Sequence, residues 1–264
     1  MNQPPIGVFD SGVGGLSILK ALRAELPHED FIYISDSACA PYGERSEAFV
    51  VARARAITAH LLHQQPAIKT LVVACNTATA AAIHLLRQDH PALPIIGVEP
   101  ALKPAVALSQ TRRIGVLATR GTLGSAKFQT LLASLTGQAD FICQPCDGLA
   151  HAIERDDAPA IAHLCAQYVA ALGPLGSTAG HIDTLVLGCT HYPFARTLLQ
   201  RLAGPAVTLV DNGEPVARQT RRMLPNLSTA SASGQVLLAA TGHPDSLSLA
   251  ARRWLNLDTT VQTL

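Results

Sequence analysis

Two cysteines stand in matching settings. Cys75 ends the apolar run Leu71-Val72-Val73-Ala74 and precedes Asn76-Thr77; Cys189 ends Val186-Leu187-Gly188 and precedes Thr190-His191. Each reads as the end of a strand, then polar residues, then a helix-like segment. A thiol at such a place meets helix N-terminal amides, which lower its pKa from about 8.5 and raise its reactivity. A lone cysteine is usually a small buried apolar residue, but two in like settings favour chemistry. His191, with Tyr192-Pro193 closing its turn, is the best-placed acid/base or thiolate-stabilising group. Cys39, Cys143, Cys146 and Cys165 lack such settings. Cys143 and Cys146 have the spacing of a redox or metal half-site, yet no second Cys/His pair lies near at ligand spacing, so no metal site is expected.

The first turn, Asp10-Ser11-Gly12-Val13-Gly14-Gly15-Leu16-Ser17, lies between a strand and a helix and is a ready anion site. Gly12, Gly14 and Ser17 nearly spell a dinucleotide fingerprint, with Asp36 about where a ribose-binding acid belongs. The third glycine is missing, however, and Asp10 would set its charge against a pyrophosphate. No Gly-Lys-Ser/Thr follows to make a Walker A loop. Pro41-Tyr42-Gly43 is either a plain turn or a set of backbone donors over a ligand. Glu154, with Asp156 and Asp157, reads by default as a solvated face.

These residues need strands to carry them. Strand-like runs fall at 6–9, 31–35, 70–74, 95–98, 114–118, 141–144, 184–187 and 207–210, separated by amphipathic stretches such as 46–63, with Val50, Ala54, Ile57 and Leu61 on one face. The alternation predicts an α/β protein of mostly parallel sheets flanked by helices. Loops are expected at 172–180 and 228–234. An internal echo goes further: Ile6-Gly7-Val8 recurs as Ile114-Gly115-Val116, and the Cys75 segment recurs at Cys189. The first pair of landmarks is 69 residues apart and the second 75. Two pseudo-symmetric lobes of like topology, each with one Cys at a strand's carboxyl end, would explain the order.

Composition narrows the field. The 264 residues are 48% hydrophobic and carry 20 basic against 19 acidic side chains, with no broad basic field. Arginines outnumber lysines sixteen to four but are scattered, and aromatics at 4% are too few for a base-stacking platform. Nucleic acid is not an expected partner. No apolar run reaches the ~18 residues of a membrane span, and Met1-Asn2-Gln3-Pro4-Pro5 has no export signature. Six cysteines are far from disulfide density. The expectation is a cytoplasmic protein with reduced thiols and no membrane association.

In order along the chain, seven segments resemble the glutamate racemases of the aspartate/glutamate racemase family: 6–16 (IGVFDSGVGGL), 36–46 (DSACAPYGERS), 74–80 (ACNTATA), 97–105 (GVEPALKPA), 115–122 (GVLATRGT), 187–193 (LGCTHYP) and 210–212 (VDN). The resemblance spans almost the whole chain. It implies a cofactor-independent isomerase interconverting L- and D-glutamate for peptidoglycan, built as two α/β lobes with the site between them, at 1–98 plus 208–264 and at 99–207. It implies Cys75 and Cys189 as catalytic acid/bases, assisted by Asp10, His191 and, by weaker analogy, Glu154. Substrate contacts would come from Asp10, Ser11, Pro41, Tyr42, Gly43, Cys75, Asn76, Thr77, Thr119, Thr122, Cys189, Thr190 and His191. No Lys among Lys20, Lys69, Lys103 and Lys127 has an evident pyridoxal-phosphate setting, in keeping with no cofactor. A homodimer is implied as well. The alternatives are an aspartate racemase of the same mechanism, a nicotinamide-dependent oxidoreductase using the glycine turn, and a non-catalytic amino-acid-binding protein.

Overall fold

The computed structural model describes residues 4–64, 67–224, 226–228 and 232–264. Met1-Asn2-Gln3, and residues 229–231 of the expected 228–234 loop, lie outside them. The chain divides into two compact units, residues 1–98 with 213–264, and residues 99–212.

The first unit holds six parallel strands in the order β10-β9-β2-β1-β3-β4. These are β1 (Ile6–Asp10), β2 (Phe31–Ser35), β3 (Thr70–Val73), β4 (Ile95–Gly97), β9 (Val236–Ala240) and β10 (Val261–Thr263). Every residue of β1, β2 and β3 is buried, as an all-apolar parallel strand between two helical layers must be. On one face, α2 (Glu47–Leu62) and α3 (Asn76–Asp89) bury Val50, Ala54, Ile57, Leu61, Ala78, Ala82 and Leu86 against Phe9, Leu71 and Val73. The predicted helix 46–63 is α2 with its caps: Ser46 Oγ accepts from the Phe49 amide, and His63 closes the far end. On the other face, α1 (Leu16–Glu25) packs against α10 (Gly213–Met223) and α11 (Pro244–Leu255).

The second unit has four parallel strands, ordered β6-β5-β7-β8: β5 (Arg113–Ala118), β6 (Asp140–Pro145), β7 (Thr184–Leu187) and β8 (Thr208–Val210). Side-chain alternation sorts its core. Ile114, Val116, Ala118, Val186 and Val210 point to the layer of α4 (Leu102–Leu108) and α6 (Ala126–Ala133). Leu117, Leu185 and Leu187 point to α7 (Leu149–Glu154), α8 (Ala158–Ala171) and α9 (Arg196–Ala203).

The order β2-β1-β3-β4 repeats as β6-β5-β7-β8, which accounts for the internal echo. Gly7 and Gly115 occupy the second position of the paired central segments. At each, an added Cβ would meet packed aliphatic side chains: Ile68 and Leu61 at Gly7, and Leu185, Leu172 and Ile182 at Gly115. The 172–180 segment is irregular apart from a bridge between Leu175 and Ile182. No helix among the described residues is long and apolar enough to cross a membrane.

Candidate active site

Ligands of open α/β sheets bind beyond the carboxyl ends of the strands, and both cysteines lie there. In the first unit, Phe9 pairs with Val73 and the Ala74 amide donates to the Phe9 carbonyl at 2.8 Å. Continuing that register sets Ser11 opposite Cys75. In the second, Leu117 pairs with Leu187 and the Gly188 amide donates to the Leu117 carbonyl at 2.7 Å. The same extension sets Thr119 opposite Cys189. By register, each cysteine thus has a hydroxyl residue at the neighbouring strand end.

Cys75 is the N-cap of α3: its Sγ accepts from the Ala78 amide at 3.5 Å, so the predicted helix-end setting holds. Its Sγ lies 3.9 Å from Ser11 Oγ, and Ser11 Oγ lies 3.5 Å from Asp10 Oδ1. Asp10 is fully buried, and its other carboxylate oxygen accepts from the Gly15 amide at 2.7 Å. The glycine turn is thus folded onto its own carboxylate, which fills the place a pyrophosphate would need. Asp36 is likewise engaged, by Arg53, Tyr42 and Thr241. Neither half of the dinucleotide reading survives this.

Asn76 Nδ2 donates to the Val98 carbonyl at 3.2 Å, while its buried Oδ1 has no hydrogen-bond partner. Buried acceptors are nearly always satisfied, so this oxygen is suited to a donor brought by a ligand. Thr77 follows it, half-buried. Tyr42 is buried, with Pro41 and Gly43 half-buried beside it.

Cys189 sits differently. It is followed by a 3-10 turn, Tyr192–Ala195, before α9 begins, so it caps no α-helix. Its Sγ lies 3.7 Å from His191 Nδ1, and His191 Nε2 lies 2.7 Å from Glu154 Oε2. Burial alone would push the His191 pKa down; its contacts with Cys189 and Glu154 outweigh that and raise it well above the ordinary value. Glu154 ends α7 and turns inward, so it is not the solvated acid its neighbours suggested; Asp156 and Asp157 are exposed. Tyr192, which sequence reasoning used only as a turn marker, is buried and anchors the turn by donating to the Cys146 carbonyl. Thr190 is buried. Thr119 caps α5 (Arg120–Gly124), accepting from the Thr122 amide at 3.2 Å and bonding its hydroxyl at 2.9 Å.

The remaining cysteines contrast with this pair. All six thiols are free. Burial pushes Cys143 and Cys165 up to about 11 and raises Cys146 as well, which keeps them as inert thiols. No group of three or more metal-ligating side chains occurs among the described residues.

The Asp/Glu/hydantoin racemase family profile matches residues 16–220. The chain belongs to that family. It is 51% identical over 238 residues to the glutamate racemase of Cupriavidus pinatubonensis, covering 89% of this chain and 85% of the relative. It is 50% identical over 224 residues to that of Ralstonia nicotianae, covering 84% and 78%. Among solved structures, glutamate racemase isoform RacE1 from Bacillus anthracis superposes with a TM-score of 0.87 at 31% identity, over 100% of this chain and 98% of that one. The Francisella tularensis glutamate racemase, solved in complex with D-glutamate, gives 0.83 at 26% identity over 100% and 98%. The resemblance drawn from seven short motifs and the α/β fold read from strand alternation are both borne out.

Proposed function

We propose that this racemase acts on glutamate through Cys75 and Cys189, one thiolate removing the α-proton from one face of the substrate and the other thiol returning a proton to the opposite face. The observation that carries the reading is the pair of half-sites: one thiol per unit, each at the end of the third strand of a repeated four-strand pattern, each with its own polar partners. One base cannot readily serve both faces of a planar intermediate, so two are needed, and they exchange roles when the reaction reverses.

The chemistry balances without a redox partner. A C–H bond breaks at the α-carbon as an S–H bond forms on one sulfur; a new C–H bond forms as the other S–H breaks. The two thiols end with their protonation exchanged. The weakly acidic α-proton places most of the barrier in carbanion-like charge, which preorganised donors must stabilise. The α3 amides beside Cys75 and the His191 imidazolium beside Cys189 are suited to that work. The partnerless Oδ1 of Asn76 is suited to the substrate ammonium, and Thr77, Thr119, Thr122, Thr190 and the Pro41–Gly43 backbone to its carboxylates.

Glutamate is favoured over aspartate because the relatives at about half identity carry that name, and D-glutamate supply to peptidoglycan is the role that follows. The homodimer implied by the resemblance and the cytoplasmic setting expected from the sequence belong to this reading; sedimentation velocity checks the first.

The test is incubation with L-glutamate in deuterated water without added cofactor, following circular dichroism and α-deuteration together. Loss of optical activity with α-deuterium uptake is expected. Inert L-glutamate with rapid turnover of L-aspartate would move the substrate; no change with either would leave an amino-acid-binding protein.

A further inference from the structure

Asp36 lies just past β2, and its carboxylate is fully buried. Four donors converge on it. Arg53 of α2 forks across both oxygens, Nη2 to Oδ1 at 2.8 Å and Nε to Oδ2 at 2.9 Å. Thr241, after β9, donates to Oδ1 at 2.7 Å. The Tyr42 hydroxyl donates to Oδ2 at 2.5 Å. Two carboxylate oxygens offer about four lone-pair sites, so this one is saturated. Burial alone would raise its pKa; the hydrogen bonds from Arg53, Tyr42 and Thr241 prevail and hold it below the ordinary value.

The hub joins segments 17 and 205 residues away in sequence. Its main chain is tied to the candidate site as well, because the Asp36 amide donates to the Asp10 carbonyl at 2.9 Å. Around it the loop is pinned at several further points: the Ala38 amide donates to Thr241 Oγ1, the Cys39 amide to the Asp36 carbonyl and the Arg45 amide to the Tyr42 carbonyl. Tyr42 itself shares a hydrophobic cluster with Phe9, Ala78 and Cys75. Its phenol proton is thus engaged within the protein, and Pro41, Tyr42 and Gly43 have main-chain groups to offer a ligand.

We propose that Asp36 is a positioning residue, whose carboxylate, locked by Arg53 and Thr241, holds the Tyr42 side chain as a plug and so fixes the Pro41–Gly43 backbone as a substrate-binding edge. The proposal rests on the racemase reading above. Nothing in Asp36 touches the reacting atoms. Its removal therefore acts on binding far more than on turnover.

The experiment compares wild type with Asp36→Asn, Arg53→Lys and Thr241→Val. Asparagine keeps the shape but offers N–H donors where Arg53 or Tyr42 requires an acceptor, and lysine keeps the charge without the fork. Asp36→Asn should raise KM for both glutamate enantiomers about tenfold or more, as loss of charge-assisted hydrogen bonds implies, with kcat within about threefold. Hydrogen exchange of the 37–45 segment should quicken while that of α3 stays unchanged. Arg53→Lys and Thr241→Val should move both readouts the same way by less, and they carry the test if Asp36→Asn does not fold. Folded variants that melt earlier yet keep the wild-type KM overturn the proposal, and so does a loosened 37–45 segment with unchanged KM. A wild-type chain inert toward both enantiomers instead overturns the racemase reading, and the binding role with it, while the exchange data still report whether Asp36 orders the loop.

Discussion

His191 gives one ring nitrogen to Glu154, 2.7 Å from Oε2, and turns the other toward Cys189, 3.7 Å from Sγ. The carboxylate orients the ring and holds a proton on it, and the ring presents that proton or its charge to the sulfur. Glu154 and His191 are 37 residues apart in sequence, yet with Cys189 they form one chain of contacts.

Glu154→Gln removes a charge that raises the His191 pKa. The alkaline limb of the pH–rate profile, where it reports His191, should move to lower pH. Activity at neutral pH should fall about tenfold or more, the equivalent of one hydrogen bond to a charged group at about 1.5–3 kcal/mol. Stability has a definite sign. A histidine whose folded pKa exceeds its unfolded value of about 6.5 stabilises fully below that value, and the contribution is lost as pH rises through the folded pKa. The variant should thus melt several degrees lower near pH 6–7, and the gap should narrow at higher pH. A pH-independent gap would contradict the linkage.

Cys75→Ser and Cys189→Ser should each depress racemisation by at least about 10²–10⁴-fold, the span of a general acid or base. Thermal melting should barely change, because a hydroxyl fits where the thiol sat. Near-wild-type turnover in either single variant, measured by circular dichroism, would rule out a two-thiol mechanism.

Ser11 stands between Cys75 and Asp10, its hydroxyl 3.9 Å from Cys75 Sγ and 3.5 Å from Asp10 Oδ1. Both contacts are long, as unliganded catalytic hydrogen bonds often are. Ser11→Ala should lower activity by about tenfold, the worth of one hydrogen bond near 1.4 kcal/mol. Its effect should be sub-additive with Asp10→Asn, since both interrupt the same line. Additive losses in the double-variant cycle would show that Asp10 acts by another route.

Gly188 precedes Cys189 at a point where an added Cβ would lie 2.9 Å from the Leu117 carbonyl oxygen and 3.0 Å from Ala118 Cβ. A backbone atom cannot step aside as a side chain can. Gly188→Ala should cost about 1–3 kcal/mol and displace Cys189, lowering activity along with melting temperature. Gly124 is the control, since a Cβ there meets nothing within 4 Å. Gly124→Ala should be neutral or stabilise by about 0.4–1 kcal/mol.

Strands with strong β-branched content were readable: 31–35 and 184–187 match β2 and β7 to the residue, and the others differ only at their ends. Two strands went unread. Val236–Ala240 is rich in leucine and alanine, which favour helix locally, and it becomes a strand because β2 supplies a partner from 205 residues earlier. Val261–Thr263 is three residues long and takes its place at the edge from β9 alone. At the site, chemistry carried by a strand end and its next two residues was legible, because the spacing travels with the sequence. Glu154 was less so, since its acidic neighbours point outward and only the turn of α7 separates it from them. The Asp36 hub was invisible for a related reason: Arg53 and Thr241 carry no local mark of the carboxylate they meet.

The repeated four-strand pattern builds two halves of like backbone but unlike wiring. One thiol answers to a helix end, a serine and an aspartate; the other answers to a histidine and a glutamate. Mirror-image molecules have equal free energy, so the equilibrium constant between them is one. Under the racemase reading, kcat/KM must then be the same for both enantiomers however differently the halves are furnished. The disparity between the halves can surface only in kcat and KM separately, rising or falling together: the enantiomer with the lower KM is the one turned over more slowly at saturation.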